Sequence, residues 1–108
     1  MLDTTELTVA VDRFADRLRV APQSRLQRGA AAEALGLARE LALRAQRIEA
    51  PEREPRTMPD MGLFAVADQL MVAGTDLAEA LRTAPSRRTA EVDEAAILVK
   101  AAAERAFR

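Results

Sequence analysis

The chain predicts an all-α protein: a small four-helix bundle of two helical hairpin arms joined by a Pro-rich linker. Three observations carry that expectation. Apolar residues recur at three- and four-residue spacing in four separate stretches, with no run of strict alternation. Of 108 residues, 24 are Ala, the best helix former, while Gly numbers only 4. Three of the 5 prolines, Pro51, Pro55 and Pro59, fall in one short stretch. A chain of this length is expected to form a single domain over residues 1–108.

The first helix is expected over about residues 4–19. Asp3 followed by Glu6 reads as a capping box. Leu7, Val11, Phe14 and Leu18 form a narrow apolar stripe flanked by Ala10 and Ala15. Asp12, Arg13, Asp16 and Arg17 lie opposite. Pro22 ends this helix, because extending the same stripe past it would bury Arg25. The second helix runs over about 23–48. Its face is Leu26, Ala30, Ala34, Leu37, Leu41, Ala45 and Ile48, and Leu35 and Leu43 lie off it. The alternating four- and three-residue spacing is that of antiparallel bundles, and the alanines allow close approach.

Residues 50–58 form the linker. Proline removes backbone donors and disfavours helix in the residue before it. The third helix is expected over about 59–82, with Pro59 and Asp60 in its first turn. Its apolar arc covers about 200°, more than one neighbour can bury. It should be the central helix or lie at a dimer interface. Leu70 and Leu77 sit near the centre of the arc, and Met71 near its edge. The stretch 83–88 breaks the pattern. The fourth helix, about 89–107, places Glu91, Asp93 and Glu94 in its first turns and Arg105 at its end, as the helix dipole favours. The second segment is net basic and the third net acidic, which supports antiparallel packing of the two.

Composition closes off much chemistry. The chain has no His, Cys, Tyr or Trp. The usual general base and the commonest metal and nucleophile side chains are therefore missing. Asp60, Asp68 and Asp76 recur at eight-residue spacing, which spreads them around a helix rather than lining them up. Ser24 and Ser86 have no evident base. The expectation is a non-catalytic protein with no metal, no cofactor and no evident small-molecule substrate. A formal net charge of −1 gives no general attraction to nucleic acid or anionic membrane. No transmembrane stretch and no secretory signal can be read, so the default expectation is a cytoplasmic protein.

Two stretches resemble known groups. RGAAAEALGLARELALR, residues 28–44, resembles a helix-turn-helix. Ala31, Ala32, Leu35, Gly36, Leu37, Arg39 and Arg44 are of matching types, which implies a small DNA-binding transcriptional regulator. The helical stripe nevertheless runs unbroken through Gly36, and Ala38 stands where a polar cap is usual. AGTDLAEALRTAPSRRTAEVDEA, residues 73–95, is similar to the second arm and tail of the secreted helical hairpins of type VII secretion. That resemblance implies a secreted helical-hairpin protein. The chain lacks that group's central Trp-x-Gly turn and its tail Tyr.

What remains is apolar surface beyond the needs of one four-helix core. Val9, Leu35, Leu43, Ile97 and Leu98 lie off the stripes, and Met71 lies at an edge. The expected function is a helical protein–protein interaction module, a homodimer or one bound to a heterologous partner. Met71, Leu35, Leu43, Ile97 and Leu98 are its expected contact residues.

Overall fold

The computed structural model describes residues 2–84 and 88–108. Helices α1 (Thr5–Val20), α3 (Ala31–Glu49), α4 (Val66–Thr83) and α5 (Thr89–Ala106) form the bundle, and α2 (Gln23–Arg25) is a single turn before α3. No strand occurs among the described residues. The expected break near 83–88 falls between α4 and α5. Ser86 and its two neighbours lie outside the described residues.

Helix α1 matches its expected stripe. Leu7, Val11, Phe14 and Leu18 are buried with Ala10 and Ala15. The expected capping box does not form; Thr4 is the N-cap and has no side-chain cap bond. The Thr5 amide donates to Asp3 Oδ1 at 2.9 Å, but Glu6 turns away to meet Lys100 Nζ at 3.1 Å. Extended backbone at Ala21 and Pro22 then reverses the chain.

The second helix is not the uninterrupted one expected over 23–48. Residues Leu26–Ala30 form a π-turn between α2 and α3, and Gly29 inside it has φ +141°. That backbone region favours glycine. Leu26 and Ala30 are nevertheless both buried, on the stripe that runs on to Ala34 and Leu41. Helix α3 is continuous through Gly36. The turn that a helix-turn-helix requires there is absent.

The third helix begins seven residues later than expected, at Val66 rather than Pro59. Two local features hold residues 59–65 out of the helix. The Asp60 carboxylate accepts from the Gly62 amide at 2.9 Å, and Gly62 takes φ +94°. The Ala65 amide then bonds to the Gly62 carbonyl at 3.2 Å, closing a turn that leads into α4.

Cross-helix contacts give the directions. Arg19 meets Asp68 at 3.1 Å and Arg82 donates to Thr4 Oγ1 at 2.7 Å, so α1 and α4 are antiparallel. Lys100 meets Glu6 while Phe107 meets Phe14, so α1 and α5 run parallel. Arg44 meets Glu94 at 2.9 Å and Glu33 meets Arg105 at 3.0 Å, so α3 and α5 are antiparallel. Ala31 and Val66 line one cleft and Ile48 and Leu81 another, so α3 and α4 are parallel neighbours. The antiparallel packing expected for this pair is thus overturned. No ion pair among the described residues joins α3 to α4; α3 pairs with α5 instead, Arg44 with Glu94 and Glu33 with Arg105. The helices of each expected arm, α1 with α3 and α4 with α5, stand across the diagonal of the bundle and hardly touch.

Parallel α3 and α4 require the linker to travel back along the bundle. Side chains fasten it. Gln46 donates to the Arg56 carbonyl at 2.9 Å and accepts from the Arg56 amide at 2.7 Å. Arg39 Nε donates to the Met58 carbonyl at 2.8 Å, and Gln69 donates to the Pro59 carbonyl at 2.7 Å. A proline-rich segment is short of amides, so its carbonyls take donors from the helices instead.

The wide arc of α4 is absorbed inside this arrangement. Leu70, Ala73, Leu77, Ala80 and Leu81 are all at most 1% exposed. Helix α4 is packed by α1 on one side and α3 on the other, and these two neighbours cover its arc within the fold.

Candidate interaction surface

The five expected contact residues do not converge. Met71 is half-buried and packs against the core. Leu35 lines a cleft with Leu63 and Val66, beside the returning linker. Leu98 faces the groove between α3 and α5, beside Leu37 and Ala102. Leu43 is half-buried outside the main cluster, and Ile97 on α5 is 63% exposed. The reason for giving Met71 a partner role was the breadth of the α4 arc, and α1 and α3 account for that breadth.

The most apolar concavity lies elsewhere, between the parallel helices α1 and α5. It encloses about 560 Å³, with Ala10, Phe14 and Ala103 as its floor. Glu6, Val9, Arg13 and Arg17 form the α1 rim, and Lys100 and Glu104 the α5 rim. Small residues explain the hollow: Ala10 and Ala103 keep the helices' facing edges low while longer side chains rise on both sides. Phe107 closes one end. Its ring meets Phe14 edge-to-face at 6.1 Å, and the Arg17 guanidinium lies 4.1 Å from its centroid. Both geometries are attractive for an aromatic quadrupole. Glu6 and Lys100 bridge the other end at 3.1 Å.

On the outer side of the groove, Val9 and Arg13 are one turn apart on α1. Ile97, Ala101 and Glu104 make a similar line on α5. Val9 is 40% exposed. Arg13 and Glu104 stand on opposite rims, and neither forms an ion pair among the described residues. Val9 and Ile97 were legible as off-stripe residues. That Val9 lines a groove depends on α1 and α5, the first and last helices, being neighbours.

Four exposed apolar residues lay outside the sequence expectation: Val72 on α4, 56% exposed, and three at one end of the bundle. Val20 is 83%, Phe64 79% and Met61 64% exposed, all at the bundle end where α1 finishes and α4 begins.

The charged clusters hold no metal-binding arrangement. No group of three or more Asp or Glu suited to a metal ion occurs among the described residues. Asp60 caps Gly62 and Asp68 pairs with Arg19, while Glu91 pairs with Arg88 at 2.9 Å. Arg44 lies between Glu40 and Glu94. Burial works against its charge, but hydrogen bonds to both carboxylates outweigh it and raise the guanidinium above its usual value. No helix among the described residues is long and apolar enough to cross a membrane. No protein-family model matches this chain, and no curated protein or solved structure is similar to it.

Proposed function

We propose that the protein is a non-catalytic helical interaction module, and that its first partner is a second copy of itself, docked through the α1–α5 face. The self-complementary charge of that face carries the reading. A two-fold axis along the groove lays each copy's α1 on the other's α5, which sets Arg13 against the partner's Glu104 and Glu104 against the partner's Arg13. Val9 then meets the partner's apolar line on α5. Helix α1 is about 24 Å long at 1.5 Å per residue, and two adjacent helices present a face about 20 Å wide. About 480 Å² per copy lies at the lower limit for a specific interface, so the dimer should be weak and concentration-dependent.

The charge pair supplies the test, read by sedimentation over a wide concentration range. Arg13→Glu should drive the protein to monomer, since it sets two acids against each other. Arg13→Glu combined with Glu104→Arg should restore the dimer. A wild-type protein that stays monomeric at the highest concentration rejects the self-association reading. A dimer indifferent to both substitutions rejects this face.

A further inference from the structure

We infer that the bundle end formed by α2, the π-turn and the end of α5 is a binding site for a multivalent phosphate-type oxyanion. Four arginines from separate parts of the chain line one cleft of about 430 Å³: Arg25, Arg28, Arg105 and Arg108. Its floor is Gly29, Ala30, Ala32 and Ala106, which leave the middle open. Nothing lies within 4 Å of where a Gly29 side chain would begin.

The balance of charge in the cleft is one-sided. Glu33 is its one carboxylate lining residue, and Arg105 takes it at 3.0 Å. Arg25 reaches only the main-chain oxygen of Arg108, at 3.5 Å, and neither Arg28 nor Arg108 has an ion-pair partner among the described residues. The dipole of α5 accounts for cations in its last turn. It does not account for Arg25 and Arg28, which another segment brings against them. The π-turn does that: it places Arg28 beside the positive-φ Gly29, and π-turns within helices are frequent at functional sites. Guanidinium groups bind phosphate oxygens through paired N–H donors, and several converging on one cleft favour a ligand with more than one phosphate group. The cleft is within the size range of small-molecule sites, larger than a single phosphate needs.

Sodium triphosphate, titrated at constant ionic strength and followed by NMR of the arginine Nε–H groups, tests this. Saturable shifts are expected at Arg25, Arg28, Arg105 and Arg108 and at the Gly29 amide. Arg28→Gln/Arg108→Gln should weaken binding by about tenfold or more, since it removes two charge-assisted contacts at exposed positions where the fold does not depend on them. Vesicles carrying phosphatidate separate the two sources of such phosphate. Binding lost in the same variant assigns the phosphate to a lipid headgroup, and binding of triphosphate alone assigns it to a soluble ligand. Shifts spread equally over Arg39, Arg47 and Arg53, or no saturation, would overturn the site. So would duplex DNA binding more tightly than triphosphate and surviving the double substitution.

Discussion

Glycines at two positions show how the same residue has opposite consequences in one fold. A Cβ added at Gly74 would lie 2.8 Å from Val11 Cγ1 and 2.9 Å from Cγ2, where α4 crosses α1. Valine on a helix has one strongly preferred rotamer and cannot swing aside. Gly74→Ala should therefore destabilise: overpacking costs about 1–3 kcal/mol, against about 1 kcal/mol of helix propensity gained. Gly36 on α3 has open space around it. Gly36→Ala should stabilise by roughly 0.5–1 kcal/mol. Chemical denaturation of the two variants checks both signs. Adding Val11→Ala to Gly74→Ala should recover the clash but open a cavity, and the cycle separates those effects. Leu70 and Leu77, at most 1% exposed, should each cost about 2–5 kcal/mol as alanine. The large side chains of this core are few, so each such loss is a sizeable share of the total stability.

At the scale of elements, α1 and the linker carry separate predictions. Hydrogen bonds from the Thr5 side chain and amide hold the Asp3 carboxyl below its usual value. A depressed folded pKa contributes stability that is present above the unfolded value and lost as pH falls through the folded one. Asp3→Ala should thus lower the melting temperature near neutral pH, and the gap from wild type should narrow as pH drops below the carboxylate range. A gap independent of pH would show that the carboxylate charge plays no part in this stabilisation. The linker is fastened chiefly by Gln46, whose amide both donates to and accepts from Arg56. Gln46→Ala should deprotect the Arg56 amide in hydrogen exchange while leaving α3 amides protected. The expected loss in stability is about 1–3 kcal/mol for two hydrogen bonds, toward the lower end because the site is exposed.

For the whole molecule, the decisive feature is that α3 and α4 are parallel neighbours. Helix α3, at 19 residues, is about 28 Å long, and the linker must return over that length. A two-residue turn in place of residues 51–63 cannot span it. That deletion should abolish the native bundle, seen as loss of the cooperative thermal transition. A Gly/Ser segment of the original length should keep the fold with lower stability, since it loses the packing of Met58 and Leu63 and the proline stiffness, while the helix side chains can still bond to its main chain. The same topology creates the two surfaces of interest. Placing the first and last helices side by side opens the α1–α5 groove. Bringing the start of the second helical stretch to the end of α5 gathers the arginines. The cross-helix ion pairs are exposed, at about 0–1 kcal/mol each. They are better understood as marking orientation than as holding the bundle together.

Helix number, the buried stripe of α1, the linker and the two-sided burial of the third apolar segment all follow from apolar periodicity and proline placement, which are local properties. Leu7, Val11, Phe14 and Leu18 face the core because a helix of that sequence has one apolar side. The π-turn at Leu26–Ala30, the late start of α4 at Val66 and the parallel course of α3 and α4 are not local in the same sense. Leu26, Ala30 and Leu63 stay against the core across these interruptions, so apolar periodicity alone does not reveal them. Net charge by segment pointed to an antiparallel pair, but exposed charges are too weak to choose a topology against the burial of Leu70, Leu77 and Leu81 between their neighbours. Which off-stripe residues share a face was likewise undecidable along the chain. Val9 comes to line a groove, and Leu35, Leu43, Leu98 and Met71 separate, only because tertiary packing sets the helices side by side as it does.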